Sequence, residues 1–288
     1  MDPSVTVHLN GVRLPLAEAK ISVLDRGFIF GDGVYEVIPV YSRQPFRLEA
    51  HLARLRHSLT GIRLADPLGE AAWREEITAI VAAAPWPDMG VYLQVTRGPA
   101  SRDLAFPQQA APTVLIMPMP LNPPDTALVE QGVAAITAKD NRWLRCDIKS
   151  VSLLANVLLR QQSAALDCGE TLLLRDGFLT EGSSSSVFVV RDGVIEAPPP
   201  SSLILPGVTH DVVLELARLH HLPHALRPIS LAALRGAEEI WLTSSPKEVL
   251  AVTRLDGVAV GDGRPGPLFR RMHAAYQAFK HTVMRGRG

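Results

Sequence analysis

The chain has 288 residues, enough for a large core and more in keeping with two domains than with one. Its 29 basic and 29 acidic residues cancel, so no net field favours nucleic acid or a membrane surface. No apolar run is long enough to span a membrane, Met1-Asp2-Pro3-Ser4 does not open a secretory signal, and Cys146 and Cys168 fit neither a metal spacing nor a disulfide framework, so a cytoplasmic protein with reduced thiols is expected.

Residues 5–9 and 12–14 flank Asn10-Gly11, whose preference for positive φ predicts a tight hairpin. Extended segments are expected over 21–24 and 34–41. The stretch between them, 25–33, is no dinucleotide fingerprint, because no helix pattern follows it. On the second strand Tyr35 and Val37 share one face, Val34 and Glu36 the other. Leu48, Leu52, Leu55 and Leu59 mark a helix over 48–62, with Arg54 well off the apolar stripe. Another helix is expected over 70–84, broken by Pro85-Trp86-Pro87. Strands over 91–97 and 113–117 flank an irregular loop, 98–111, that carries Arg102. The stretch Met117-Pro118-Met119-Pro120-Leu121-Asn122-Pro123-Pro124 is rich in proline and reads as a linker, giving domains at 1–117 and 125–288 joined by 118–124.

Beyond it, 133–137 and the approach to Lys149 read as extended. In Arg142-Trp143-Leu144-Arg145-Cys146-Asp147-Ile148-Lys149-Ser150 a short strand-like run ends in a single lysine. Leu154, Val157, Leu158 and Ala165 then recur at helical spacing, with Ser150 or Ser152 available as the cap. An amine held at such a junction in a partly apolar pocket is disfavoured as the ammonium and becomes a nucleophile toward carbonyls. Strands over 171–174 and 178–180 turn at Asp176-Gly177 and lead to Glu181 and a run of serines, 183–186. This run reads as a loop, since strands bracket it closely, and the Gly-x-Ser-x-Gly of a hydrolase elbow is absent. Strands over 187–190 and 194–197 follow. In Leu205-Pro206-Gly207-Val208-Thr209, glycine and threonine open an amphipathic helix over 211–219, whose first amides and dipole suit a phosphate. A strand over 240–242 runs into a second hydroxyl cluster, Thr243-Ser244-Ser245-Pro246. His220, His221 and His224 lack acidic company, so no metal site is expected. A helix over 268–283 ends the pattern.

A lysine nucleophile, a lone Glu181 after a strand, an arginine on a helix and two hydroxyl-rich phosphate seats are together what pyridoxal phosphate chemistry needs. The lysine binds the aldehyde, the carboxylate keeps the pyridine nitrogen protonated, and arginine, hydroxyls and amides anchor the phosphate.

At this point the sequence resembles fold-type IV pyridoxal phosphate enzymes, and most closely the D-amino acid aminotransferases, over nearly its whole length. The motifs that carry the resemblance are Phe30-Gly31-Asp32-Gly33-Val34-Tyr35-Glu36-Val37, Gln94-Val95-Thr96-Arg97-Gly98, the run from Arg142 to Ser150, Thr180-Glu181-Gly182-Ser183-Ser184-Ser185 and Ile204-Leu205-Pro206-Gly207-Val208-Thr209. The resemblance implies an α+β fold with a smaller N-terminal α/β sandwich domain and a larger C-terminal pseudo-barrel domain. It implies Lys149 as the Schiff-base lysine and proton carrier, and Glu181 as partner of the pyridinium nitrogen. Arg54, Val208, Thr209 and Ser245 would hold the phosphate, Leu205 would pack under the ring, and Arg142 would lie near its hydroxyl. Tyr35, Val37, Arg102, Ser184 and Ser244 fall on the substrate side.

The implied reaction is ping-pong transfer of an amino group, most closely from a D-amino acid, to a 2-oxo acid. A lyase of the aminodeoxychorismate type, or a transaminase for branched-chain L-amino acids or primary (R)-amines, is the alternative. In this family the arginine loop comes from the partner subunit, so the resemblance also implies a homodimer. Two positions depart from the pattern. The histidine of Arg-x-His is Leu104, at a cost of about 1.5–3 kcal/mol of carboxylate binding if one charge-assisted contact is lost. The asparagine that usually closes the glutamate motif is Ser186.

Overall fold

The computed structural model describes residues 2–109 and 111–286. The chain forms two compact units: Met1–Leu121 with Ile148–Leu153 and Met284–Gly288, and Asn122–Asp147 with Leu154–Val283.

In the first unit, β1 (Thr6–Leu9) and β2 (Val12–Pro15) form the hairpin across Asn10-Gly11. There follow α1 (Arg26–Phe30), β3 (Gly33–Tyr41), β4 (Gln44–Pro45), α2 (Leu48–Gly61), α3 (Gly69–Ala83), β5 (Met89–Thr96) and β6 (Thr113–Pro120). The sheet runs β2-β1-β6-β5-β3-β4, antiparallel throughout. The leucine stripe of α2 is buried at Leu52, Leu55 and Leu59. It meets Trp73, Ile77 and Ile80 of α3 over Val34, Ile38, Val91, Leu93 and Val95 of the sheet. Each such side chain contributes about 1.5–3 kcal/mol by leaving water.

Two expectations fail in this unit. Residues 21–24 are not a strand: Asp25 N–H bonds back to Ser22 O at 3.0 Å, and the bend leaves Ile21, Val23 and Leu24 exposed. Asp25 then caps α1 by accepting from Gly27 N at 2.8 Å, so a turn of helix occupies the glycine-bearing stretch. The proline stretch is not all linker either, because β6 continues through Pro118 and Pro120, opposite Val91 and Met89. β1 pairs only with Leu115 and Ile116, so one edge of β6 is open beyond that point, where a missing N–H costs no ladder bond.

In the second unit come α4 (Thr126–Gln131), β7 (Val133–Lys139), α5 (Leu154–Ala164), β8 (Glu170–Arg175), β9 (Phe178–Gly182), β10 (Ser186–Arg191), β11 (Val194–Ala197), α6 (Val208–Leu219), β12 (His224–Leu226), α7 (Leu231–Arg235), β13 (Glu239–Ser244), β14 (Glu248–Leu255), β15 (Val258–Ala259) and α8 (Pro267–Phe279). The sheet order is β12-β11-β10-β13-β14-β7-β8-β9, with β15 on β14. It curls so that β9 returns beside β10, to which Ser183–Ser185 joins it. The expected extended run before Lys149 is absent: 142–147 is irregular and tied to a loop by Cys146 N to Ser202 O at 2.8 Å. On α5 the helical spacing holds, yet Leu154, Val157 and Leu158 are 72%, 59% and 54% exposed, so that stripe covers no core of this chain. Among the described residues no helix is long and apolar enough to cross a membrane.

Candidate active site

In the first unit, β3 alternates as its sequence requires. Val34, Glu36 and Ile38 are buried, while Tyr35 and Val37 are half-buried on the opposite face. The segment carrying Lys149 lies along this strand. Tyr35 N donates to Lys149 O at 2.9 Å, Val151 N donates to Gly33 O at 3.0 Å, and Lys149 N donates to the buried Ser58 Oγ of α2 at 3.0 Å. The backbone of Lys149 is thereby fixed on both sides, and its Nζ sits 4.2 Å from the centre of the Tyr35 ring. That is a cation–π distance, and it places the amine over the face that Tyr35 presents.

Arg54 does not stand on its helix as a solvated charge. Its Nε and Nη2 donate to the two carboxylate oxygens of Glu36 at 2.7 and 2.8 Å, and His51 Nδ1 meets the same carboxylate at 2.9 Å. Burial works to raise the Glu36 pKa, but Arg54 and His51 outweigh it and hold it down at about 2. Burial lowers the His51 pKa, so the ring is neutral near pH 7 and its Nδ1–H is the donor. Arg54 is thus aimed by a fixed carboxylate. Arg102 lies on the exposed loop between β5 and β6, with its guanidinium 5.6 Å from the Phe30 ring centre.

In the second unit, Glu181 at the buried end of β9 accepts from Arg142 Nη1 at 2.5 Å and from Leu205 N at 3.1 Å. Burial raises the Glu181 pKa, and Arg142 and the Leu205 amide only partly oppose that shift. Arg142 is held in turn by Asp140, through Nε and Nη2 at 2.9 Å each, and Asp140 also pairs with Arg175 at 3.1 Å. Leu205, Arg142 and Glu181 therefore come together in the second unit.

The serine loop is anchored from beneath. Glu170, fully buried at the start of β8, accepts from Ser183 N at 3.1 Å and from the hydroxyls of Ser184 and Ser185 at 3.2 and 2.5 Å. Lys247 Nζ reaches the same carboxylate at 2.5 Å and Ser184 Oγ at 3.1 Å, while Lys247 N donates to Ser244 Oγ at 3.3 Å. One lysine so ties the Ser184 loop to the Ser244-Ser245 loop. Gly207 is the N-cap of α6, so Val208 and Thr209 fall on its first turn, where amides point outward. Near the end of β13, opposite Ser186, Thr243 Oγ1 is buried without a hydrogen-bond partner.

Three carboxylates at these sites, Glu36, Asp140 and Glu170, carry no role in the sequence reading. A signal does exist for two of them: an acidic residue at a core-facing position of an apolar strand is seldom there without a partner. The charged partners of Glu36 and Glu170 lie 15 to 77 positions away in the chain, and the sequence does not name those pairs. Among the described residues no group of three His, Cys, Asp or Glu side chains could hold a metal ion.

The two units carry the α+β architecture of fold-type IV. Residues 33–255 match the Amino-transferase class IV family. The chain is 40% identical over 271 residues to the D-alanine aminotransferase of Bacillus licheniformis, covering 94% of this chain and 95% of that one. It is 35% identical over 280 residues to the D-alanine aminotransferase of Staphylococcus aureus strain MW2, covering 96% and 99%. A solved hypothetical aminotransferase from Mycobacterium tuberculosis, in its PLP-bound form, superposes with a TM-score of 0.83 at 25% identity, over 95% of this chain and 98% of that one. The protein belongs to the class IV aminotransferases, and it is a transaminase.

Proposed function

We propose that this enzyme transfers the amino group of a D-amino acid to a 2-oxo acid, with pyridoxal 5′-phosphate as its cofactor. The observation that carries the reading is Glu181. A carboxylate can accept about four hydrogen bonds, and Glu181 receives Arg142 on one oxygen and Leu205 N on the other. It is buried, and these two contacts leave lone pairs for a further donor of the kind a protonated pyridine nitrogen presents. When bound, the cofactor supplies an aldehyde for the lysine amine and a ring that draws electrons from the substrate Cα.

The protein's own part follows from its residues. Lys149, its backbone fixed by β3 and α2, would hold the cofactor through its amine and would move the proton at the substrate Cα. Glu181 would keep the ring nitrogen charged, and Arg142, seated on Asp140, keeps Glu181 oriented and would serve the ring hydroxyl. Arg54, the first turn of α6 at Val208 and Thr209, and Ser245 would hold the phosphate, and Leu205 would support the ring. Tyr35, Val37, Arg102, Ser184 and Ser244 bound the substrate. The preference for a D-amino acid is supported by the names of the relatives just given, at 35% and 40% identity.

A homodimer and a cytoplasmic location complete the proposal. The dimer is supported by apolar side chains that each unit leaves bare: Val23, Phe28 and Leu104 in the first, Trp143, Leu144, Leu154 and Val157 in the second. The location is supported by two free thiols, Cys146 and Cys168. The direct test of the function is a panel of D- and L-amino acids and primary amines, each offered with pyruvate and 2-oxoglutarate. Transfer from D-alanine faster than from L-alanine is expected; activity confined to L-amino acids would overturn the reading.

A further inference from the structure

Two motif residues remain without a task, Asp32 and Arg97, and both meet at the root of the loop that bears Arg102. Asp32 accepts from Arg97 Nε at 2.8 Å and Nη2 at 3.1 Å, and from Arg26 Nε at 2.8 Å. The two arginines are 3% and 4% exposed, so neither is a solvated charge. A buried guanidinium must place its remaining donors, and these go to the loop and to its surroundings. Arg26 Nη1 donates to Asp103 O and, at 3.3 Å, to Ala105 O; its Nη2 donates to Leu104 O at 3.3 Å. Three successive carbonyls therefore converge on one side chain. Arg97 donates to Ile62 O at 2.7 Å and Arg63 O at 3.3 Å, and Phe106 packs on its guanidinium at 3.7 Å.

The loop's start is pinned as well. Arg26 N donates to Gly98 O at 3.0 Å and Ala100 N to Leu24 O at 3.2 Å. Gly98 has φ +86°, and a Cβ there would collide with Ala111 O, so only glycine fits. A surface loop with no regular structure of its own is ordinarily mobile. This one has its carbonyls gripped, its apolar residue Phe106 stacked and its entry closed, while the Arg102 side chain stays exposed.

We infer that Arg26 and Arg97, bridged by Asp32, form a clamp that holds residues 99–109 in one shape and so positions Arg102 for the substrate carboxylate. The inference rests on the reading of Arg102 given above. Arg26 and Arg97 are positioning residues that act through Arg102, and substrate binding should suffer from their loss more than turnover does. Holding a charged group in place before binding is worth a large factor, since a displacement of about 1 Å can cost roughly a hundredfold.

The test uses the holoenzyme in four forms: Arg26→Gln, Arg26→Lys, Phe106→Ala and Arg102→Ala, with Arg26→Gln also made in the Arg102→Ala background. Phe106 is largely exposed, so its variant keeps the test alive if the Arg26 changes fail to fold. Amide deuterium exchange in 99–109 should speed up in Arg26→Gln and Phe106→Ala, with Arg26→Lys between these and the parent. The KM for D-alanine should rise roughly tenfold in Arg26→Gln with kcat changed much less, and no further in the Arg102→Ala background. Unchanged exchange across 99–109 in both Arg26→Gln and Phe106→Ala overturns the clamp, as does an equal rise in KM with Arg102 already removed. If Arg102→Ala by itself leaves KM untouched, the carboxylate reading falls, and the exchange measurement decides the clamp on its own.

Discussion

Arg142 Nη1 lies 2.5 Å from the Oε1 of Glu181, and the other edge of the same guanidinium is closed by Asp140. A buried carboxylate whose pKa is raised by burial would tend to take up a proton; Arg142 opposes this first, and the Leu205 amide adds to it. The pair therefore bears on the one property the proposed chemistry asks of Glu181, its negative charge.

Replacing Glu181 by glutamine keeps the shape and an acceptor for Leu205 N but removes that charge. Turnover should fall by about a hundredfold or more, equivalent to about 2.7 kcal/mol of barrier. Retention of the cofactor on gel filtration should change far less, because the proposed phosphate contacts lie elsewhere. Near-normal turnover in Glu181→Gln would show that another group serves the ring nitrogen.

Glu36 gives a pH dependence of definite sign. Its carboxyl is held at about 2 in the folded protein, below the ordinary value of 4.5. A depressed carboxyl contributes stability that is complete above the unfolded pKa and lost as pH falls toward the folded one. The contribution is about 3 kcal/mol from this buried group, fading between roughly pH 4.5 and pH 2. Glu170, also held at about 2 by Lys247 and the serine hydroxyls against the effect of burial, adds in the same window. Urea melts of the apoprotein from pH 6 to pH 3 should show a shallower fall for Glu36→Gln than for the parent. Parallel curves would mean that Glu36 titrates normally.

For the substrate side, Arg102→Ala should raise the KM of amino acids by about ten- to a hundredfold, as expected for about 1.5–3 kcal/mol of a charge-assisted contact. A primary amine has no carboxylate and should lose little. Leu104 is 79% exposed on the same loop, so Leu104→His can present a donor without repacking a core. That variant should favour D-amino acids over amines. An unchanged ratio of the two would argue that position 104 does not face the carboxylate.

What the sequence discloses here is what local periodicity can carry. The Tyr35 and Val37 face of β3 and the leucine stripe of α2 are legible because alternation and helical spacing report burial directly. Residues 21–24 read as a strand from their apolar β-branched content, but the turn at Ser22 and the cap by Asp25 decide otherwise. Pro118 and Pro120 read as linker since proline breaks ladders; an open edge on β6 removes the objection. The exposed side of α5 has the spacing of a packed helix, and periodicity does not say whether this chain's own core lies beneath it. The proposed site residues Lys149, Glu181, Arg142 and Leu205 stand in recognisable motifs. Glu36, Asp140, Glu170 and Asp32, which hold the site residues or their loops, pair with side chains at least two positions and up to 77 positions away in the chain, and the longer of these pairings are set only by the tertiary fold.

The most direct test of the mechanism is the attachment of the cofactor to Lys149. The purified holoenzyme should absorb in the visible, and that band should bleach on treatment with borohydride. Tryptic mass spectrometry should then place a reduced phosphopyridoxyl adduct on the peptide containing Lys149. Lys149→Ala should carry no adduct and show no amino transfer. An adduct on a different lysine, or none on an active enzyme, would contradict the assignment of Lys149 and with it the mechanism.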